Sequence, residues 1–511
     1  MRHNLPTNQK DEYKRLILAF SSLTEMFIQK SIDDNILPMP IINSKFQETI
    51  FQKVFKATAE DIGNTSYDVS LVLDNNKKYL IGIKTFGFDA QDQKIAQFKA
   101  NNNEWSNLVN EIKSSAKNIK DKNEILKLNN DRYLELAKKI SQIRNERISS
   151  SQANLRGFDI NQNDIVEAIY HILMPHIKDN KPKIYVAETD YTPIDINKIK
   201  IIGCTSANKP ENFIFTDEKH IYKYTPADSQ LYMKFDNKNI IKEKWQVIYA
   251  QNAYDIFKKI GEEVYNSNFI ADTAPKIIQS FSWKIELQLQ SGFNSFYGIG
   301  LKKKDRASRT ASINKLKKDF DSIIDSNILK EVISKLELLV NNAENEIIIR
   351  SEILKLANLV KNNDFTDRLQ SLLFRPINEI YIPIPHAKKF HEQNTDFFGK
   401  GIGVLNDDGK LELQKEQRCF NLVFDPSGTK IKAFITQDFG KAIQSYEKQS
   451  ELGRWILREI FRLKEYEPLT QKRLNEIGIN GIRLYKLNND ESVYFQFIYI
   501  DESNLPKDYI K

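Results

Sequence analysis

"TSYDVSLVLDNNKKYLIGIKTF", residues 65–86, reads as two strands joined by a tight turn, with Asp68 on the first strand and Lys84 near the end of the second. Side chains alternate between the two faces of a strand, so Leu80, Gly82 and Lys84 share one face, while Asp68 points opposite to the apolar row Tyr67, Val69, Leu71 and Leu73. A phosphodiester resists hydrolysis because water is a poor nucleophile and negative charge builds up during attack. A strand-borne carboxylate that holds a divalent metal answers both problems, and a lysine beside it can polarise water and offset phosphate charge. The pair Asp68 and Lys84 therefore predicts a metal-dependent nuclease site. A second acid would be expected two residues before the lysine, on the same face, and that position is Gly82.

Two sources could supply the absent acid. Residues 44–61 have helical periodicity, with Phe46, Ile50, Phe51, Val54 and Phe55 on one face and Glu48 at its margin beside Gln52. A glycine at 82 should leave space through which Glu48 reaches the site. Alternatively, Asp89, Asp92, Gln93 and Gln97 follow the lysine and begin the next predicted helix. Glu48 is the favoured source.

At 511 residues the chain predicts two or three domains. Hydrophobic residues at 41% and charged residues at 28% suit a folded protein with real cores, and no window approaches a membrane span. The polar opening MRHNLPTNQKDEYKRL lacks the apolar core of a signal peptide. Cys204 and Cys419 are far apart without CxxC or His partners, which argues against a disulfide framework or a structural zinc site and points to a reducing cytoplasm. The net charge of +7 decides little alone. Within residues 300–320, Lys302, Lys303, Lys304, Arg306, Arg309, Lys315, Lys317 and Lys318 form either a solvated helix face or a phosphate-contacting surface.

The pattern along the chain predicts an α/β core with a mixed sheet flanked by helices over residues 1–243, carrying a helical insertion at about 91–150. Residues 244–372 read as a mostly helical connection, interrupted by a hairpin at "SFSWKIELQLQSGFNSFYGIGLK". Short strands dominate residues 373–511, which predicts a separate, mostly-β barrel. His171 and His176 are weak metal candidates, because Pro175 breaks the helix that would align them.

The order "FQETIFQKVF", "SYDVSLVL", "YLIGIKTF" resembles the helix Glu, strand Asp and terminal x-x-Lys of PD-(D/E)xK type II restriction endonucleases. The strands in "NFIFTDEKHIYKYTPADSQLYMKF" resemble the later strands of such enzymes. The resemblance covers about residues 40–240. It implies Asp68 as metal ligand, Lys84 as catalytic lysine, Glu48 as accessory acid and metal ligand, and magnesium as cofactor. Double-stranded DNA would be the substrate and a cognate DNA methyltransferase the functional partner, in the cytoplasm of a bacterium, with no membrane association.

The C-terminal stretches "RPINEIYIPIPHAKKFHEQNTDFF" and "IKAFITQDFGKAIQSYEKQSELGRWIL" are similar to the recognition domain of a group of restriction enzymes, itself similar to the DNA-binding pseudobarrel of plant transcription factors. Two loop arms of such a domain enter the major groove. The resemblance implies one arm near Lys388, Lys389 and His391, and another near Gln437, Lys441, Gln444, Lys448 and Gln449. A phospholipase-D-like mechanism is excluded, since "His386-Ala-Lys388" supplies only half of its motif and has no second copy. Three functions stay open: a type II restriction endonuclease, a DNA-binding protein with a decayed nuclease core, and an endonuclease that reads a methylated base by flipping it out. A palindromic target would imply a two-fold homodimer.

Overall fold

The computed structural model describes all residues except 28–36, 60–66, 74–76, 159–165, 267–275, 299–305, 342–344, 437 and 511. The chain opens with helices α1 (Thr7–Ser22) and α2 (Ser44–Phe55), then strands β1 (Thr58–Ala59), β2 (Val69–Val72), β3 (Lys78–Thr85) and β4 (Asp92–Gln97). Helices α3 (Asn102–Ser115) and α4 (Lys122–Arg156) follow. The next strands are β5 (Val166–Lys178), β6 (Lys181–Asp190), β7 (Lys200–Ser206), β8 (Lys209–Thr216), β9 (Ile221–Thr225), β10 (Gln230–Lys234) and β11 (Ile241–Gln246). Helix α5 (Ala253–Asn266) and strand β12 (Ile277–Lys284) precede four helices, α6 (Arg306–Phe320), α7 (Ser326–Val340), α8 (Glu346–Val360) and α9 (Asn363–Leu373). The last part holds β13 (Ile382–Pro383), α10 (Ala387–Gln393), β14 (Cys419–Asp425), β15 (Thr429–Ile435), β16 (Ala442–Ser445), α11 (Gln449–Arg454), α12 (Gln471–Ile477), β17 (Gly481–Leu487) and β18 (Asp490–Ile498).

The first sheet is mixed, in the order β1-β2-β3-β5-β6-β11. Strands β2 and β3 form the predicted antiparallel pair, and β5 runs parallel to β3 after the crossover through α4. Its two faces bury different partners. Val69, Leu71, Tyr79, Ile81 and Ile83 meet Tyr13 and Ile17 of α1 and Phe51 and Phe55 of α2. Leu80, Tyr170 and Ile172 face the opposite way, toward Trp105 of α3, Leu136 and Ile140 of α4, and the second sheet. That second sheet is antiparallel, β4-β10-β9-β8-β7. Helix α2 starts cleanly because the Asn43 side chain accepts the Phe46 N–H at 2.9 Å, satisfying an otherwise bare donor.

Three local expectations are corrected. Asp92–Gln97 is a strand, not the start of a helix, because it completes the edge of the second sheet against β10 and buries Ile95. Residues 166–178 form a strand through Pro175, not a broken helix. Proline is accommodated there because β3 has ended at Thr85, opposite Leu173, so its missing N–H is not required by that neighbour. Instead of a hairpin, β12 pairs with β17, and Gly292–Tyr297 forms a 3-10 turn.

The third sheet has the order β12-β17-β18-β14-β15-β16-β13 and contains one parallel pair, β14 with β18. Strand β12 thus joins the C-terminal sheet from within residues 244–372. Leu316 of α6, Val332 of α7, Ile353 of α8 and Leu369 of α9 share one apolar core with Leu422, Ile482 and Phe495 of that sheet. The connecting section is therefore packed onto the β-rich part rather than standing apart as a spacer.

Helix α4 links the halves. The buried Arg147 guanidinium donates to the Glu476 carbonyl at 2.6 Å and to the Gln97 carbonyl at 2.8 Å, and the Trp455 indole N–H donates to the Ala153 carbonyl at 2.8 Å. Arg156 pairs with Glu459, and Arg473 with Glu146. The helix ends at Gly157, whose φ of +79° and close approach to Thr429 Oγ1 leave no room for a Cβ. Among the described residues, no helix is long and apolar enough to cross a membrane.

Candidate functional site

Asp68 stands at the entry to β2, where the ladder with β3 begins. Val69 pairs with Ile81, so Asp68 lies across from Gly82, and Gly82 lies across from Tyr170 on β5. The carboxylate of Asp68 accepts the Ile83 backbone N–H at 2.5 Å. Lys84 lies one pleat further along the same face, and its Nζ is 3.6 Å from Asp68 Oδ2. Both side chains retain about a quarter of their exposure, 27% for Lys84 and 24% for Asp68. The structure thus brings these two predicted residues together at a solvent-accessible sheet end.

Glu48 is not joined to them. The apolar side of α2 covers the opposite face of the sheet, and the Glu48 carboxylate pairs with Lys45 Nζ at 2.9 Å on its own helix. The neighbouring Gln47 is buried and accepts from the Thr85 hydroxyl, which fixes the start of α2 at the same end of the sheet as Lys84. Among the described residues, no ion pair or hydrogen bond connects Glu48 with Asp68 or Lys84. The downstream acids are also engaged elsewhere: Asp92 pairs with Lys223 at 2.6 Å, and the exposed Asp89 lies 3.8 Å from His176. No group of three or more His, Cys, Asp or Glu side chains able to hold a metal occurs among the described residues.

The expected space beside Gly82 is filled. A Cβ there would lie 2.9 Å from Tyr170 Cδ1 and 3.3 Å from Tyr191 Cε2. The Tyr191 ring contacts both Tyr67 and Tyr170 in tilted arrangements, with centroids 4.8 Å and 4.0 Å away, and the Arg144 guanidinium of α4 sits 4.8 Å from the Tyr191 ring centre. Burial pushes the phenols of Tyr67 and Tyr170 well above their ordinary range, so both are neutral packing groups rather than bases. Strand alternation hid this cluster, because it sets Tyr67 in one row with Val69 and Leu71, whereas Tyr67 precedes the regular strand and joins the opposite core with Leu80 and Tyr170. His171 is wholly buried, with Nε2 3.2 Å from the Tyr13 hydroxyl and Nδ1 3.8 Å from Glu188. It is a core residue.

In the C-terminal part the predicted arm residues separate into groups. Lys388 and Lys389 are exposed on α10, and Lys388 lies 3.9 Å from Glu392. Lys441 is 64% exposed, and Gln444 is half-buried on β16. Lys448 reaches over the Phe158 ring at 5.9 Å. Gln437 lies outside the described residues. Two assignments are corrected. His391 is fully buried and its Nε2 donates to the Gly440 carbonyl at 2.9 Å, so it braces the loop at Gly440 and presents no surface to a ligand. Gln449 bonds the Ile380 carbonyl and accepts the Ser445 N–H at 3.2 Å, so its amide is committed to the fold. Lys315, Lys317 and Lys318 are exposed on α6, while Lys302, Lys303 and Lys304 lie outside the described residues.

A cleft of about 550 Å³ opens beside Lys441. Residues 381–386 and Thr436, Lys441 and Ala442 form one side, and residues 283–292 with Ser295 and Arg375 form the other. Sequence reading missed the second side, although the alternation of Glu286, Gln288 and Gln290 in "WKIELQLQSG" signals an extended polar edge.

Residues 375–488 match the family model of the NgoFVII C-terminal B3-like DNA-binding domain. The matched segment spans β13 to β17, and leaves out β12 and β18 of the same sheet. The β-rich C-terminal region is therefore similar to a DNA-binding domain carried by a restriction enzyme. No curated protein matches the chain.

Proposed function

We propose that the chain is a sequence-specific, magnesium-dependent endonuclease of double-stranded DNA, of restriction type. The observation that carries this reading is the 3.6 Å approach of Lys84 Nζ to Asp68 Oδ2 on adjacent strands, in a chain whose C-terminal region matches a restriction-enzyme DNA-binding domain. The match supports duplex DNA as the partner, and the Asp-Lys pair supports a PD-(D/E)xK-like chemistry.

Magnesium characteristically takes one or two carboxylates and completes its shell with water and phosphate oxygens. Asp68 supplies one carboxylate, a sufficient but minimal donor set. Glu48, on a helix whose start lies at the same sheet end, is the acid that the motif order offers as a second. When bound, the ion would lower the pKa of a water and offset charge on the phosphate. Lys84 would hold the attacking water and place its ammonium against the phosphate oxygens, while Ile83 N–H fixes the Asp68 carboxylate in position. Such an enzyme would work alongside a cognate methyltransferase in a bacterial cytoplasm, and as a two-fold dimer on a palindromic site.

A second reading, a DNA-binding protein whose nuclease core has decayed, is favoured by Tyr170 occupying the place of the second acid. Incubation with unmodified and methylated plasmid, with and without magnesium, separates the alternatives. Cutting of unmodified DNA supports the restriction reading. Cutting of methylated DNA alone indicates a modification-dependent enzyme, and binding without cutting indicates a decayed core.

A further inference from the structure

Between β12 and the 3-10 turn that follows it, the chain lines the cleft as a loop held at both ends. At its start Ile285 N–H donates to the Asn480 carbonyl at 2.8 Å, and at its end the Gly292 carbonyl accepts from Tyr381 N–H at 3.1 Å. Leu287 packs inward on the apolar core. Glu286, Gln288 and Gln290, spaced two apart, are exposed and line the cleft. Leu287 thus turns to the core between two exposed polar neighbours, while Leu289 and Gln290 form an exposed turn. Fixed ends and a half-buried anchor reduce the conformational entropy lost when such a loop binds.

The facing wall comes from the segment that matches the DNA-binding domain, through His386, Thr436 and Lys441. Cations stand at the rim in surface ion pairs: Lys284 with Glu502, Arg375 with Glu379 at 3.3 Å, and Lys441 with Asp438 at 3.8 Å. Exposed pairs of this kind are weak, so their cations can exchange a carboxylate for a phosphate. The side chains between them are those that read base edges: a Gln amide pairs bidentately with adenine, and a Glu carboxylate accepts from the cytosine amine. Gln290 is steadied by donating from Nε2 to Glu346 Oε2 at 2.9 Å.

We propose that residues 286–290, outside the matched segment, are a base-reading loop for duplex DNA, with Gln288 the specificity-determining side chain. The proposal rests on the DNA-binding reading of the C-terminal region and adds a third reading element to its two arms. It is tested on the full chain without divalent metal, by enrichment from a pool of randomised duplexes. Wild type should enrich a motif. Gln288→Ala should lose preference at one base position and bind the wild-type motif about 5- to 150-fold more weakly, the range one bidentate contact supplies, with affinity for random duplex unchanged. Gln288 is exposed, so its truncation leaves the packed core intact, and an unchanged thermal midpoint checks this. An unaltered motif and affinity in both Gln288→Ala and Gln290→Ala would overturn the loop assignment. So would an equal loss on all sequences, which marks a phosphate contact. A wild-type chain that enriches no motif would instead overturn the DNA-reading role of the whole domain.

Discussion

A Cβ on Gly82 would lie 2.9 Å from Cδ1 of the fully buried Tyr170, so the position across from Asp68 is closed by an aromatic ring. An acid at 82 therefore cannot be restored by substitution alone. Gly82→Ala is expected to cost about 1–3 kcal/mol through overpacking. Gly82→Asp should cost more, because it adds a carboxylate to a tyrosine-lined interior. Thermal unfolding and cleavage assays check both: the midpoint should fall and cleavage should not rise. A faster Gly82→Asp enzyme would show that the ring yields and the site accepts a second ligand there.

Asp68→Ala and Lys84→Ala should each lower magnesium-dependent cleavage by about 100-fold or more, the scale of a lost acid-base or electrostatic group. DNA affinity measured without metal should survive, because the matched DNA-binding segment lies at residues 375–488. Wild-type rates in either variant would remove the pair from the reaction.

Glu48→Gln should weaken cleavage by less than about tenfold, since α2 covers the opposite face of the sheet and the carboxylate is held by Lys45. That exposed pair is weak enough to open. A loss as large as that of Asp68→Ala would mean that Glu48 swings around the sheet end to complete the metal shell.

Acid should destabilise the fold through its buried histidines. Burial lowers the pKa of both His171 and His391, the first against an opposing Glu188. The unfolded chain, with ordinary imidazoles near 6.5, binds protons that the folded chain does not. Stability is thus fully present above that range and falls as pH drops through it, toward the lowered folded values. Melting curves at pH 7.5, 6.5 and 5.5 should show a declining midpoint, and His391→Gln, which can still donate to Gly440, should flatten the slope.

Arg147→Ala should loosen the two halves. Its buried guanidinium bonds carbonyls of both, Gln97 and Glu476, and hydrogen bonds to charged groups contribute about 1.5–3 kcal/mol each. Differential scanning calorimetry should resolve the unfolding into separated transitions, with earlier protease cleavage near the end of α4. A single, unshifted transition would show that the apolar contact of Phe158 with Trp455 and Phe424 suffices.

By itself the sequence determined what depends on local pattern. The alternation in residues 65–86 specified a hairpin that places Asp68 beside Lys84, because strand parity and a tight turn leave little choice of register. The short strands after Arg375 likewise signalled a β-rich region, and the resemblance of its stretches to a DNA-recognition domain is the part that the family match supports. What it left open were contacts between distant segments. Helical-looking residues 92–97 and 166–178 became strands because sheet edges needed partners, and burial outweighed propensity. Only the tertiary structure decided that Tyr170 fills the space at Gly82, that α2 covers the face away from Lys84, that His391 is buried against Gly440, and that residues 284–292 form a wall of the cleft. Each of these depends on which remote side chain packs at a point, and no local spacing encodes that.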